Sequence, residues 1–162
     1  MALFDAFLKI DGIDGESADS KHKGEIELLS FSWGETQSGT FAHGGGGGAG
    51  KVAMQDIHFV SKVSKASPKL VLACASGEHI KKATLTCRKA GKDQQEFLKY
   101  TLSDILVSSY QIGGSSHGDT VPIDQVSLNF AKIEIEYKEQ LATGALGGTV
   151  KAGWNLKENK SV

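Results

Sequence analysis

The residues that most resemble a chemical motif form a glycine run that ends in a lysine. Residues 45–51 (GGGGAGK) have the spacing of a phosphate-binding loop, in which backbone N–H groups and the lysine hold a nucleotide's phosphates. The match fails at Val52, which stands where a Ser or Thr must bind magnesium. Residues 52–60 also alternate as a strand, whereas a phosphate loop needs a helix behind it. We therefore assign no nucleotide site to this run.

The acidic residues and the histidines form no recognisable catalytic or metal site. Asp11, Asp14 and Glu16 lack the regular ligand spacing of a calcium loop, and their Asp-Gly pairs are more simply turn formers. The histidines, which are scattered without metal-ligand spacing, are His22, His43, His58, His79 and His117. The sequence has no Gly-x-Ser-x-Gly nucleophile elbow, and it supports no Cys-His pairing. It predicts no catalytic, cofactor or metal residue, which favours binding or assembly.

Length, charge and composition exclude further classes of protein. The 162 residues fit a single domain over residues 1–162, and 18 basic against 19 acidic residues leave a net charge of −1. With this balance of charges, the sequence lacks the excess of positive charge that is typical of a nucleic-acid-binding protein. No apolar run approaches the roughly 20 residues that a membrane helix needs, and the chain shows no basic leader. We expect synthesis in the cytoplasm, and any export by a route without a cleaved leader. The two cysteines are interpreted as small buried hydrophobes.

The alternation of apolar and polar residues predicts a mainly β fold. Many glycines and few prolines agree with a β protein that has many turns. Residues 90–93 are interpreted as a hairpin turn. The predicted strands are residues 2–10, 25–33, 82–88, 95–102, 105–112, 125–130 and 131–137.

One segment predicts a short flanking helix, at about residues 67–77. Ser67 is interpreted as the N-cap, Pro68 as the first helical residue and Gly77 as the left-handed residue that ends the helix. His79, just after the helix, is expected to bond a backbone group. The face predicted to be buried comprises Leu70, Val71, Cys74 and Ala75.

Two glycine-rich segments look unable to build a core. Residues 36–50 lie between two strands, so they predict a long, projecting hairpin loop. Residues 143–153 are interpreted as a second mobile segment. Residues 154–156 (WNL) are too apolar for a free tail and are expected to dock back on the domain.

Segments spread over nearly the whole chain match one protein family in order and spacing. They are residues 7–10 (FLKI), 15–17 (GES), 22–34 ending in SFSWG, 39–51, 67–70, 73–79, 106–109, 126–133 and 153–155. In these segments the chain resembles the haemolysin-coregulated proteins (Hcp) of bacterial type VI secretion systems. No single segment is diagnostic, but their order and coverage together are specific.

The resemblance implies two packed antiparallel sheets that form a barrel-like domain with one flanking helix. It further implies a non-enzymatic subunit whose homohexameric rings stack into a tube. The tube lies inside a contractile sheath on a baseplate, carries a VgrG-type spike and is secreted. The lumen of such a ring can hold small effector proteins. Because the chain ends soon after Trp154, it looks like the plain tube subunit.

The tube interpretation points to two sets of residues. A glycine-rich loop can adapt to a neighbouring subunit, so residues 36–50 are expected at a ring-to-ring or subunit contact. The candidates there are Thr36, Gln37, Ser38, Gly39, Thr40, Phe41, His43 and Gly46. Since Phe31 and Trp33 need a core or an interface, Ser30 and Ser32 must point the opposite way, toward the lumen or toward another sheet edge.

Two other classes remain open. A small-ligand β-barrel carrier would be a monomer with an apolar internal pocket. A secreted enzyme would need an acid, base or nucleophile in a known relation, which the sequence does not supply. Oligomeric state separates the tube subunit from the carrier.

Overall fold

In the part of the chain that the structure describes, short and long strands are accompanied by one helix. The computed structural model describes residues 3–39, 50–91, 93–118 and 120–162. The elements are β1 (Phe4–Ile10), β2 (Ile26–Leu28), β3 (Ser30–Ser32), β4 (Glu35–Thr36), β5 (Ala53–Met54), β6 (Ile57–Lys62), α1 (Ala66–Ser76), β7 (Ile80–Lys89), β8 (Glu96–Gly113), β9 (Ile123–Gln140), β10 (Leu146–Asn155) and β11 (Lys160–Ser161). The predicted mainly β fold with one short helix is confirmed.

All strand pairs are antiparallel, and most strands belong to one hydrogen-bonded system. Its order is β11-β10-β9-β8-β7-β1-β2, with β6 on β9 and β3 on β6. The predicted strand at residues 25–33 divides at Leu29, so that β2 pairs with β1 and β3 pairs with β6. The Leu29 N–H still donates to the Val60 carbonyl at 2.7 Å. This short segment therefore connects the two ends of the strand system.

The two longest strands organise the domain. β8 and β9 each have 18 residues, and residues 98–113 of β8 pair with residues 123–137 of β9. The sequence predicts each of them as two strands, residues 95–102 and 105–112 in place of β8 and residues 125–130 and 131–137 in place of β9. The strands continue because cross-strand hydrogen bonds outweigh the local break. Asp104 remains within β8 with a left-handed φ of 54°, a conformation that Asp tolerates better than most residues.

The core lies between these strands and the helix. Its residues come from both halves of the chain, as the alternating pattern requires. The largest fully buried side chains are Phe59, Leu8, Ile10, Ile57, Leu70, Leu85, Leu102, Ile105, Leu128, Ile133, Val107 and Val126. The buried Cys87 agrees with its interpretation as a small hydrophobe, whereas Cys74 is only partly buried.

The helix begins differently from the prediction. Lys65 is the N-cap and makes no side-chain cap hydrogen bond, so Ser67 is not the N-cap. The Ser67 hydroxyl accepts a hydrogen bond from the Ser64 N–H at 3.0 Å and donates one to the buried Asp124 carboxylate at 2.5 Å. The Ser67 hydroxyl, which the sequence suggested as a helix cap, thus donates its hydrogen bond to Asp124 on β9.

The helix ends as predicted, but its buried face is rotated. Gly77 is left-handed, with φ 65° and ψ 35°. Ala66, Ser67, Leu70 and Ala73 are buried, whereas Val71 of the predicted face is 45% exposed. The face shifts because Ser67, bonded to Asp124, turns its own side of the helix inward. Among the described residues, no helix is long and apolar enough to cross a membrane.

The predicted mobile segment at residues 143–153 is wrong. Most of it belongs to β10, which pairs with β9 from Leu146 to Asn155 and has an irregularity between Leu146 and Thr149. Partner hydrogen bonds from β9 stabilise this glycine-rich strand, and its own sequence gives no sign of them. The predicted docking of residues 154–156 is confirmed, since Trp154 pairs with Ile133 and the Leu156 N–H donates to the Ala131 carbonyl at 2.7 Å.

Candidate assembly surfaces

A short stem of two paired strands, β4 and β5, flanks the glycine-rich segment. Glu35 pairs with Met54 and Thr36 with Ala53. Thr36 therefore belongs to the stem and not to the loop in which it had been placed. Gln37, Ser38 and Gly39 follow the stem and are exposed. The remaining loop candidates, Thr40, Phe41, His43 and Gly46, lie outside the described residues.

A cavity of about 520 Å³ lies between this stem and the β9–β10 pair. Its apolar wall includes Trp33, Met54, Ile133, Ile135 and Trp154. The indole N–H groups of both tryptophans are buried and find no acceptor among the described residues. An apolar cavity at the base of the loop is therefore a second candidate site, which sequence reasoning missed because its walls are distant in sequence.

Ser30 and Ser32 lie on the exposed face of a four-stranded region, β3-β6-β9-β8. Strand pairing places Ser32 beside His58, His58 beside Ser127, and Ser127 beside Ser109. Phe31 and Phe59 occupy the intervening positions and point toward the core, as alternation requires. The prediction that Ser30 and Ser32 point away from the core is thus consistent with their exposure.

The same face continues with larger polar groups, defined here as the polar face. Val60 separates Ser30 from Gln125, which pairs in turn with Gln111. Next to the Ser32 row, the Asp56 carboxylate accepts hydrogen bonds from Ser108 Oγ at 2.6 Å and Asn129 Nδ2 at 2.9 Å. The polar face comprises Ser30, Ser32, Asp56, His58, Gln111, Gln125, Ser127, Asn129, Ser108 and Ser109.

Sequence reasoning missed most of the polar face. Two sequence patterns could have revealed it. Gln125, Ser127 and Asn129 alternate with apolar residues along β9, and Asp56 and His58 alternate in the same way just before and at the start of β6. What the sequence did not show was the order of the strands. Ser108 contributes because a register shift between Val107 and Ser109 places an extra residue in β8.

The four-stranded region has two open edges within the described part of the chain. β7 pairs with β8 only as far as Ile105, so residues 106–113 have β9 on one side and no strand on the other. At the opposite end, β3 pairs with β6 alone. Ile112, near one edge, is 53% exposed, and Leu29, beside the other, is 57% exposed. Open edges with exposed apolar neighbours are typical of surfaces that pair with another chain.

The residues considered for chemistry are not brought together. The Glu16 carboxylate accepts the Lys65 N–H at 2.9 Å, and His79 contacts the Asp104 carboxylate at 3.0 Å, not the backbone group expected for it. Burial raises the pKa of the Cys87 thiol to about 11, which keeps it protonated and unreactive at neutral pH. Within the described ranges, no group of three or more His, Cys, Asp or Glu residues is arranged to hold a metal ion.

Comparison with known proteins gives a consistent result. A family model described as "Type VI secretion system effector, Hcp" matches residues 7–137. Protein Hcp1 of Pseudomonas aeruginosa is 48% identical over 157 residues, which cover 96% of each chain. The crystal structure of Hcp1 from Salmonella typhimurium is 39% identical, with a TM-score of 0.82, and the match covers 99% of this chain and 100% of that one. Another structure, of a type six secretion system protein, has 32% identity and a TM-score of 0.93 over 98% and 99% of the two chains.

The fold and these matches define a protein of bacterial type VI secretion. More narrowly, the chain belongs to the Hcp family, in agreement with the resemblance of its sequence segments.

Proposed function

We propose that this protein is the structural subunit of a type VI secretion tail tube and is not an enzyme. Six copies form a ring, and rings stack into a tube that lies inside a contractile sheath, on a baseplate and behind a VgrG-type spike. The observation that carries the proposal is the four-stranded region with one polar face and two open edges, in a chain that belongs to the Hcp family.

Ring closure joins the two open edges. The edge of β8 at residues 106–113 in one subunit meets the β3 edge of the next, a head-to-tail contact that closes when its rotation returns to the first subunit. Closure would remove the exposed edges and cover Ile112 and Leu29.

The polar face then lines the lumen. Small hydroxyl side chains such as Ser30 and Ser32 leave the channel wet and wide, while Asp56 and His58 add groups that can hydrogen-bond cargo. The cargo class proposed is small effector proteins.

The hairpin loop at residues 36–50 provides contact between rings or between subunits. Its stem is short and residues 37–39 beyond the stem are exposed, which leaves them open to a neighbouring subunit. A near-neutral subunit also avoids strong repulsion between stacked rings. In this proposal the protein is synthesised in the cytoplasm and then secreted by the type VI system. The proposed function involves neither nucleic-acid binding nor membrane insertion.

An edge substitution tests the proposed ring contact. Ile112→Asp places a charge at the β8 edge and should raise the concentration at which rings dissociate by about tenfold or more. Analytical ultracentrifugation over a range of concentrations measures this shift. Leu72→Asp is the matched control, because Leu72 is 65% exposed and belongs to the helix, not to either edge strand. Rings of Ile112→Asp as stable as those of the control would exclude the β8 edge as the ring contact.

A monomeric small-ligand carrier is the second candidate, favoured by the cavity beside Trp33 and Trp154. The carrier hypothesis predicts that an apolar fluorescent probe binds in this cavity and quenches tryptophan emission. The quenching should saturate at one probe per chain. Absence of saturable quenching, together with ring formation, would remove this candidate.

A further inference from the structure

Residues 11–25, defined here as the strap, form a closed turn between β1 and β2. Three backbone hydrogen bonds close it: Gly15 N–H to the Gly24 carbonyl at 2.8 Å, Gly24 N–H to Ser17 at 2.8 Å, and Ser17 N–H to Glu25 at 3.0 Å. A Cβ on Gly15 would lie 2.5 Å from the Glu25 carbonyl oxygen, so only glycine fits there. The strap therefore has a defined conformation without regular secondary structure.

Side chains attach the strap to three other elements. Glu16 accepts the Lys65 N–H at the start of α1. Asp19 pairs with the guanidinium of Arg88 on β7, with one of the two hydrogen bonds at 2.9 Å. The third attachment is His22, which contacts Glu96 at the first residue of β8.

His22 is buried and contacts carboxylates through both ring nitrogens. Its Nδ1 lies 2.8 Å from Glu25 Oε2, and its Nε2 lies 2.8 Å from Glu96 Oε1. The ring is stacked on Phe7, with centroids 4.4 Å apart and planes at 6°. Only 6% of His22 is exposed, so it cannot exchange these partners freely for water.

The geometry fixes which form of His22 satisfies both contacts. An ionised carboxylate only accepts hydrogen bonds, so each ring nitrogen must donate one. The imidazolium has two N–H donors, whereas neutral imidazole has one donor and one lone pair. In the neutral form, a lone pair would face Glu25 or Glu96 and that contact would be lost.

Several charged side chains surround His22. Asp5 from β1, Asp19 and Glu25 from the strap and Glu96 from β8 are the carboxylates that face this region, and Arg88 from β7 is the fixed cation. Arg88 is already bound to Asp19 and Asp5. His22 is thus the hydrogen-bond partner that Glu25 and Glu96 share.

We propose that His22 is a protonation-dependent latch that ties the strap to the start of β8. The latch is closed while His22 carries both protons, and it opens at Glu96, the more exposed of the two partners, as pH rises and Nε2 loses its proton. Histidine is the side chain that most often serves as a protonation-dependent contact in proteins. Opening frees one end of the strap, while the attachments at Glu16 and Asp19 remain.

Amide hydrogen exchange of the intact protein tests the latch. Protection of the Gly15, Ser17 and Gly24 amides, corrected for the intrinsic effect of pH on exchange, should fall about tenfold or more between about pH 6 and pH 8.5. NMR spectra of His22 should show both ring nitrogens protonated at the lower pH. A corrected protection that stays constant over this range would overturn the proposal.

Two variants identify the groups responsible. The amide of Glu96→Gln can accept from a protonated Nε2 or donate to an unprotonated one, so strap protection should become independent of pH. His22→Gln should also be independent of pH, because it removes the titrating group. His79→Gln is the matched control, since His79 contacts a carboxylate through one nitrogen only and is exposed, and it should keep the wild-type profile. A wild-type profile retained in Glu96→Gln would contradict the latch.

Discussion

At the scale of single residues, Arg88 is a buried charged group that ties β7 to Asp5 of β1 and to Asp19 of the strap. It is 3% exposed and lies 4.7 Å from the centre of the Phe7 ring. Its hydrogen bonds to Asp19 hold the pKa of that carboxyl at about 2, and backbone N–H groups of Lys21 and His22 add to the effect. A buried guanidinium needs such a partner, because an uncompensated buried charge is costly.

The lowered pKa of Asp19 predicts a dependence of stability on acid. A carboxyl whose pKa is depressed in the folded state stabilises it fully above the unfolded-state pKa, which is about 3.9, and this contribution is lost as pH falls through about 2. Asp19→Asn should lower the free energy of unfolding at neutral pH, and the difference from wild type should shrink toward about pH 2. Urea unfolding at several pH values measures it.

The control for Asp19→Asn is Glu134→Gln, which breaks an exposed pair with Lys132 at 3.9 Å. Exposed pairs contribute little, so this variant should change stability hardly at all. A destabilisation by Asp19→Asn that is the same at both ends of the pH range would contradict the role given to the Arg88 pair.

At the scale of elements, sequence predicted what local pattern determines and missed what tertiary partners determine. Alternation located β1 and most of β7, and Gly77 marked the end of the helix. The start of the helix was missed because Ser67 bonds Asp124. The strand β10 was missed because β9 supplies its hydrogen bonds.

The candidate surfaces show the same difference between features that follow from local pattern and features that follow from tertiary partners. The outward direction of Ser30 and Ser32 followed from alternation with Phe31 and Trp33. Their neighbours across the sheet followed only from strand order, which brings His58 and Ser127 beside Ser32. Sequence periodicity determines a face, but it does not determine which strands share that face.

The helix end gives a prediction of its own. Gly77→Ala places a Cβ on a left-handed residue with φ 65° and should lower the free energy of unfolding by roughly 1–2 kcal/mol. Chemical denaturation measures the change. Gly148→Ala is the control, because Gly148 has no recorded left-handed φ and a Cβ there meets nothing within 4 Å. Equal stability of Gly77→Ala and wild type would contradict the left-handed cap.

At the scale of the whole molecule, the domain separates an apolar core from a polar face on the same four strands. Phe59 on β6 is fully buried, while the adjacent His58 bonds Ser127 at 3.2 Å on the other side of the sheet. In the proposed ring, the apolar core stabilises the subunit and the polar face lines the lumen.

The lumen assignment predicts separate effects on cargo and on assembly. Ser32→Arg should reduce the molar ratio of a co-expressed small effector to rings, because a long cation projects where small hydroxyls leave space. Ring formation should persist, since Ser32 is exposed and lies outside the core. Co-purification with quantitative mass spectrometry measures the ratio, and Ser76→Arg on the exposed side of the helix is the control. Loss of rings in Ser32→Arg would assign this residue to the subunit interface instead.

The most direct test of the tube proposal is native mass spectrometry of the purified protein, with negative-stain imaging of the same sample. The account predicts a closed hexamer with a central hole, since the two open edges of the four-stranded region then have partners. A strict monomer at high concentration would contradict it, and would leave the cavity beside Trp33 and Trp154 as the feature that best explains function.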